Sequence, residues 1–179
     1  MEETYYPPGA FYFSVQVLGS GTALALLTDI DACFQEVSGI QAQFDVEDVA
    51  EGGENRFVHH LPKRGKYPNL SLKRGIVTGS SFLAEWAGQT IGSRLSLPIL
   101  TQNILVMLLG EGGVPLVAWA FANAYPVKWD VSSLNSEENK ILTETLELSY
   151  SWFERIVLGS AASVGAKLAQ LTARLASES

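Results

Sequence analysis

From Phe34 to Gly75 the chain reads FQEVSGIQAQFDVEDVAEGGENRFVHHLPKRGKYPNLSLKRG, and past Gly39 its apolar and polar residues alternate strictly. Ile40, Ala42, Phe44 and Val46 fall on one side; Gln41, Gln43, Asp45 and Glu47 fall on the other. A period of two over that length marks a strand with one buried and one wet face, because successive side chains of an extended backbone point opposite ways. Gly52 and Gly53 then supply a turn, where positive φ costs a glycine little, and Asn55, Arg56, Phe57 and Val58 bring the chain back. The stretch predicts a long hairpin that offers surface, backbone edges and charge. It contains nothing resembling a catalytic constellation.

Charge in this region is segregated. Asp31, Glu36, Asp45, Glu47, Asp48, Glu51 and Glu54 follow one another without a base, and then Arg56, Lys63, Arg64, Lys66, Lys73 and Arg74 follow without an acid. The formal net charge of -7 argues against a protein that coats nucleic-acid duplexes, which presents a basic face. The basic run has three readings: phosphate contact, a solvated loop, or a meeting with the acidic block of another copy. The last is favoured, since opposite charge blocks suit recognition between identical subunits. On that reading Asp48, Glu51, Glu54, Arg56, Lys63, Arg64, Lys66, Lys73 and Arg74 are the candidate inter-subunit charges.

The remainder of the chain is mostly strand-like. Phe11, Phe13, Val15 and Val17 alternate with Tyr12, Ser14, Gln16 and Leu18, and Asn69 to Val77 forms another short alternating run. Leu83, Trp86, Ala87, Thr90 and Ile91 recur at helical spacing, with Ser80 or Ser81 to cap the start and Gly92 to close the end. Ile104 to Leu109 is apolar on both faces, as in a strand between two layers. Its expected partner has large residues on one face (Val117, Trp119, Phe121) and small ones on the other (Ala118, Ala120, Ala122), up to a break at Pro126. Asp130 to Asn139 reads as a loop, and one last strand runs from Leu142 to Trp152. About seven strands and one helix without β-α-β alternation predict a mainly β fold, an antiparallel sandwich or barrel with a flanking helix. Beyond Ile156, Ala161, Val164, Leu168, Leu171 and Leu175 recur at spacings of three and four. The expected division is a β domain over 1–155 and an amphipathic helical extension over 156–179, which is marginal in water unless it docks on something, such as a neighbouring subunit.

Other features favour bland readings. His59 and His60 are adjacent, so on a strand they face opposite sides and cannot share one metal. Cys33 stands alone, which excludes an internal disulfide and fits a reducing cytoplasm. The glycine clusters lack phosphate-loop and dinucleotide spacings, and at least three of the four tryptophans lie on apolar faces, where core is the default reading. No catalytic, cofactor or metal site is expected. The N-terminus MEETYYPPGAF lacks a basic region and an apolar core for export, and Ile104 to Leu109 falls far short of the roughly 20 residues of a membrane helix. The chain is expected to be soluble, with no membrane insertion of its own. At 179 residues and 47% hydrophobic content, it is long enough for one ordinary core.

FQEVSGI, GGENRF, YPNLSLKRG, a Trp-containing helix, WAFANAYPVKW and ETLELSY occur in this order. Together they resemble the inner tail tube proteins of contractile-tailed phages and of phage-tail-like contractile injection systems, from about Pro8 to Arg155. The resemblance implies hexameric rings that stack into a hollow tube inside a contractile sheath, with six long hairpins joined edge to edge around the lumen. Gln41, Gln43, Asp45 and Glu47 then face the lumen, and the hairpin from Leu97 to Asn123 is its neighbour. An acidic lumen would let DNA slide. The implied partners are other copies of the chain, sheath subunits, baseplate hub and spike proteins, and protein or DNA cargo, with assembly in the producing cell's cytoplasm. GGENRF, LKRG and PVKW look closer to the paralogue that starts the tube at the baseplate than to the bulk tube subunit. From other classes, a monomeric β-barrel binding a small ligand would need an apolar cavity and hairpins paired within one chain.

Overall fold

The computed structural model describes residues 12–18, 30–53, 56–79, 81–110, 113, 115–133, 141–157, 170, 173 and 174, with backbone alone for 30–33 and 157. These contain ten strands and one helix, with every strand pairing antiparallel. In chain order they are β1 (Tyr12–Leu18), β2 (Ile30–Phe34), β3 (Glu36–Ser38), β4 (Gln43–Val49), β5 (His59–Lys66), β6 (Leu70–Gly75), α1 (Phe82–Gly92), β7 (Gln102–Leu109), β8 (Pro115–Val131), β9 (Thr143–Ser149) and β10 (Trp152–Val157). One sheet runs β2-β1-β7-β8-β9-β6-β3 with β10 also on β8, while β4 and β5 form a separate two-stranded sheet.

β8 holds the main sheet together. Its first half pairs with β7 and β10 and its second half with β9, so one 17-residue strand serves two neighbourhoods. Two irregularities make this possible. Asn123 adopts φ 53° and its N–H donates to Asn103 Oδ1 at 3.0 Å, and across it the inward residues change parity, from Phe121 to Ala124. Pro126, expected to break the strand, instead sits beside a register shift between Pro126 and Lys128, where a missing N–H is tolerated. The single final strand expected from Leu142 to Trp152 is in fact two. Tyr150 and Ser151 separate β9 from β10, and the Ser151 N–H bonds the Ala122 carbonyl at 3.0 Å. β10 runs through Val157, past the boundary expected after 155. The basis for the expected loop from Asp130 to Asn139 is split: Asp130 and Val131 end β8, and 134–140 lie outside the described residues.

Both faces of β7 are buried, as its sequence requires. Ile104 and Val106 join Val15, Phe121, Leu70, Leu72 and Leu148 in the main core, while Leu105 and Met107 join Ala118, Ala120, Ala122 and Ile156 on the opposite face. α1 closes the main core with Leu83, Trp86 and Ala87. Ser81 caps it, its Oγ accepting the Ala84 N–H at 3.3 Å, and Trp86 Nε1 donates to the Leu100 carbonyl at 3.0 Å. The buried stripe is narrower than the sequence suggests, because Ile91 is exposed, and the cap at the far end is Ser93, following Gly92.

Arg74 departs from its expected role as an inter-subunit charge. It is buried, its Nε donating to Glu144 Oε1 and its Nη2 to Ser81 Oγ, both at 2.5 Å, with the guanidinium 5.2 Å from the Phe34 ring centroid. On β6, Leu70, Leu72 and Arg74 share a face, so the side chain enters the core by strand parity alone. Its acid lies across the β6–β9 ladder, where Arg74 pairs directly with Glu144.

Candidate functional site

The long hairpin leaves the body of the fold through a narrow neck. Gly39 has φ +86°, and a Cβ there would stand 2.0 Å from the Asn69 carbonyl oxygen, so the outgoing chain passes against the returning one. No other residue type fits both the torsion and the approach. Tyr150 closes the neck from the core side, its hydroxyl donating to the Gly39 carbonyl at 3.3 Å. Beyond the neck, among the described residues, β4 and β5 pair only with each other.

Alternation along β4 survives, and the pairing defines two faces. Asp45 stands opposite a register irregularity, where Phe44 pairs with Gly65 but Val46 with Pro62, leaving the extra residue on β5. Paired residues share a face. Gln43, Asp45 and Glu47 therefore lie with Lys66 and Leu61, and Phe44 and Val46 lie with Gly65 and Pro62. The apolar face is not packed behind the hairpin as expected: Phe44 is 69% exposed and Val46 56%. Nor does the hairpin from Leu97 to Asn123 pair with it, for β7 and β8 take their partners from β1, β9 and β10.

The charges on the hairpin find partners within the same chain. Lys66 pairs with Asp45, Lys63 Nζ lies 3.2 Å from Glu47 Oε2, His60 Nδ1 lies 2.5 Å from Asp48 Oδ1, and His59 Nε2 lies 3.4 Å from Glu51 Oε1. Lys73 Nζ sits 3.8 Å from Glu36 on the neighbouring strand β3. The acidic block and the basic block are thus the two strands of one hairpin, folded together. Its polar face is charge-balanced, which corrects the expectation of an acidic surface. All these pairs are exposed, so each contributes at most about 1 kcal/mol. Gln41 Nε2 donates to Gln43 Oε1 at 2.9 Å, and both line an open hollow with Lys66, Tyr67 and Pro68. Arg56 and Arg64 are exposed, and Glu54 lies outside the described residues.

His59 and His60 project to opposite faces, each toward its own carboxylate, and among the described residues no three potential ligands gather as a metal site. The side chain of Cys33 and the glycine turn at 19–21 lie outside the description. What the sequence reading missed is the uncovered apolar face. Its signal was β5 itself, HHLPKRGK, which offers only Leu61 and Pro62 as apolar residues and so cannot build a second layer.

The sequence profile of T4-like virus tail tube protein gp19 matches residues 9–154. Among solved structures, a chain of the six-fold symmetrised baseplate of the anti-feeding prophage is 25% identical, with 88% of this chain and 99% of that chain covered and a TM-score of 0.66. A chain of the sheath–tube complex of an extracellular contractile injection system, PVC, in its extended state is 22% identical, with 87% and 95% covered and a TM-score of 0.68. A type six secretion system protein shares the fold at 11% identity and a TM-score of 0.53, with 82% and 83% covered. No curated protein sequence matches the chain.

Proposed function

The chain belongs to the T4-like virus tail tube protein family, and on that premise we propose that it is a structural subunit of the inner tube of a contractile injection system. In this reading it assembles as hexameric rings that stack into a hollow conduit for protein or DNA cargo. The observation that carries the proposal is the β4–β5 hairpin, with Phe44 and Val46 exposed on its apolar face and, among the described residues, no partner strand on either outer edge. A two-stranded ribbon of this kind is marginal alone and hazardous in solution. Pairing with the hairpins of neighbouring copies satisfies the backbone edges and covers Phe44 and Val46 together.

Gln41, Gln43, Asp45 and Glu47 are then the lumen face, with Lys63 and Lys66 balancing its charge. A lumen so lined neither holds nor repels a charged cargo strongly. Asp48, Glu51, Glu54, Arg56, Lys63, Arg64, Lys66 and Lys73 serve as inter-subunit contacts by exchanging partners within the chain for partners on the next copy. The role is mechanical. Its partners are sheath subunits and the baseplate hub and spike, and its assembly takes place in the producing cell's cytoplasm. Among the described residues no helix is long and apolar enough to cross a membrane.

The finer part of the proposal is a position in the first, baseplate-proximal layer. It is supported by the stretch beyond residue 154, which the family profile does not reach and which a baseplate contact would use. A bulk repeating subunit is the alternative. Negative-stain microscopy of the full chain over a range of concentration and salt tests both. Rings are expected, and rings that never stack without a bulk subunit fit the first layer. Long tubes formed by this chain alone would make it the bulk subunit. A monomer at every concentration, with or without a baseplate template, would overturn the tube reading in favour of a ligand-binding barrel.

A further inference from the structure

A second part of the described chain is apolar and exposed. From Arg94 to Thr101, RLSLPILT, every residue is exposed, with Leu95 at 77%, Leu97 at 64% and Leu100 at 67%. Apolar burial does not hold this loop between α1 and β7. Hydrogen bonds do: the Arg94 N–H meets the Ile91 carbonyl at 3.3 Å, the Ser96 N–H meets the Ser93 carbonyl at 2.9 Å, and Trp86 Nε1 donates to the Leu100 carbonyl. Arg94 and Leu95 both sit at positive φ, 49° and 63°, a conformation that costs a residue with a side chain free energy. A loop fixed at such a cost so that its leucines face water is prepared for a surface outside the chain.

The hairpin offers a surface of matching chemistry. Edge pairing between hairpins extends their sheet, but the face of Phe44 and Val46 is buried only by a second layer. Asp48 lies two residues beyond Val46 on that same face, opposite His60. Asp45 and Glu47, on the other face, each meet a lysine, whereas the described partner of Asp48 is a histidine, a cation only when protonated. The face is therefore apolar with one acid at its end. The loop is apolar with one base, Arg94, which makes no ion pair among the described residues. Both surfaces are exposed, so neither covers the other within one chain.

We propose that the loop 94–101 of one copy packs on the Phe44–Val46 face of a second copy, with Arg94 set against Asp48. The inference rests on the tube reading and adds to it the layer that covers the hairpin sheet. The contact joins two different patches, so each copy gives its loop to one neighbour and its hairpin face to another. Head-to-tail contacts of this kind close into rings or propagate along a stack. The pairing of one base with one acid fixes the register in which the two apolar surfaces meet.

Charge exchange in the full-length chain tests the contact. Arg94→Asp and Asp48→Arg should each raise the concentration needed for rings by about tenfold or more, because like charges then meet, and the two together should restore it. Single variants that assemble as the wild type does, or a double variant that fails as the singles do, overturn the proposal. In a Cys33→Ser background, copies carrying Pro62→Cys mixed with copies carrying Leu97→Cys should be joined by a short bifunctional maleimide. Either kind of copy joined to its own kind in place of the other would overturn the head-to-tail arrangement. Amide exchange of the unmodified chain needs no substitution: residues 95–101 should slow together with Phe44 and Val46 on assembly. A loop that exchanges as fast in rings as in the monomer, or slows only when a sheath protein is added, also overturns it. Wild-type rings without the 62–97 link strike this contact and leave the tube reading standing, whereas a wild type that forms no rings, with or without a baseplate template, strikes both.

Discussion

Phe44 on β4 and Leu105 on β7 both occupy strands of an antiparallel sheet, yet Leu105 is fully buried and Phe44 is 69% exposed. The difference lies in layers. β7 has the main core on one side and the alanine face on the other, and it is hydrogen-bonded on both edges. Among the described strands β4 has one neighbour, β5, and its apolar face is exposed at Phe44 and Val46. Ion pairs show the same contrast. Arg74 and Glu144 meet with side chains 4% and 9% exposed, while Glu47 and Lys63 meet in solvent. One region is specified by the chain itself. The hairpin is specified by its neck, its cross-strand charges and, in the proposed assembly, by the next subunit.

The largest effect should come from the buried pair. Arg74→Met leaves the Glu144 carboxylate in the core with the Trp129 indole N–H, 3.3 Å from Oε2, and removes the Arg74 donor from Ser81 Oγ at the helix cap. A loss of about 3–5 kcal/mol is expected, read as a lower urea midpoint, because an uncompensated buried charge remains. Replacing both partners, Arg74→Met with Glu144→Leu, should recover a large part of it. Equal loss in the single and the double variant would show that packing around Phe34 matters more than charge.

Arg74 also marks where sequence reading stops. Strand parity on β6 put it with Leu70 and Leu72, but composition placed it in a basic run, and the acid that neutralises it lies 70 positions away on β9. The same holds for the division of the last strand. Nothing local announces that Tyr150 and Ser151 turn the chain, since the turn depends on β8 having two different neighbours at Ala122 and Tyr125. Features set by nearest neighbours were readable: the Ser81 cap, the two-sided burial of β7, the small face of Ala118, Ala120 and Ala122, and the alternation of β4. Whether the apolar side of β4 is covered depends on other strands, and in the single chain the face that alternation marks as buried is exposed.

A smaller effect is expected at the neck. Burial pushes the Tyr150 hydroxyl pKa up from 10.0 to about 12, with the neighbouring Tyr67 adding to the rise. The folded protein holds this proton more tightly than the unfolded chain. Its contribution to stability is complete below pH 10.0 and is lost as pH rises through about 12. Tyr150→Phe removes the hydrogen bond to the Gly39 carbonyl, at a cost of about 1 kcal/mol at neutral pH. It should also flatten the alkaline decline, so that the gap between wild type and variant narrows across that window. Urea titrations at several pH values check this. A constant gap would mean that the hydroxyl stays solvated and does not tie the hairpin to the core.

The smallest effect on folding, and the sharpest test of the contrast, belongs to the hairpin itself. Phe44→Ser and Val46→Ser remove side chains that bury little in the single chain, so the urea midpoint of the monomer should move by no more than about 0.5 kcal/mol. The same substitutions at Leu105 or Phe121 would cost several times that, since those sites leave a cavity or an unpaired hydroxyl. If the apolar face exists to be covered by another copy, Phe44→Ser should instead abolish rings in micrographs while leaving a folded monomer. The sequence spends two large apolar side chains where folding alone gains almost nothing, and the separation of the two readouts tells what they are for. Should Phe44→Ser unfold the monomer as a core substitution does, the hairpin is part of the folding unit. Should it disturb neither folding nor rings, the free edges of β4 and β5 carry assembly, and a proline at an edge N–H, as in Glu47→Pro, becomes the decisive substitution.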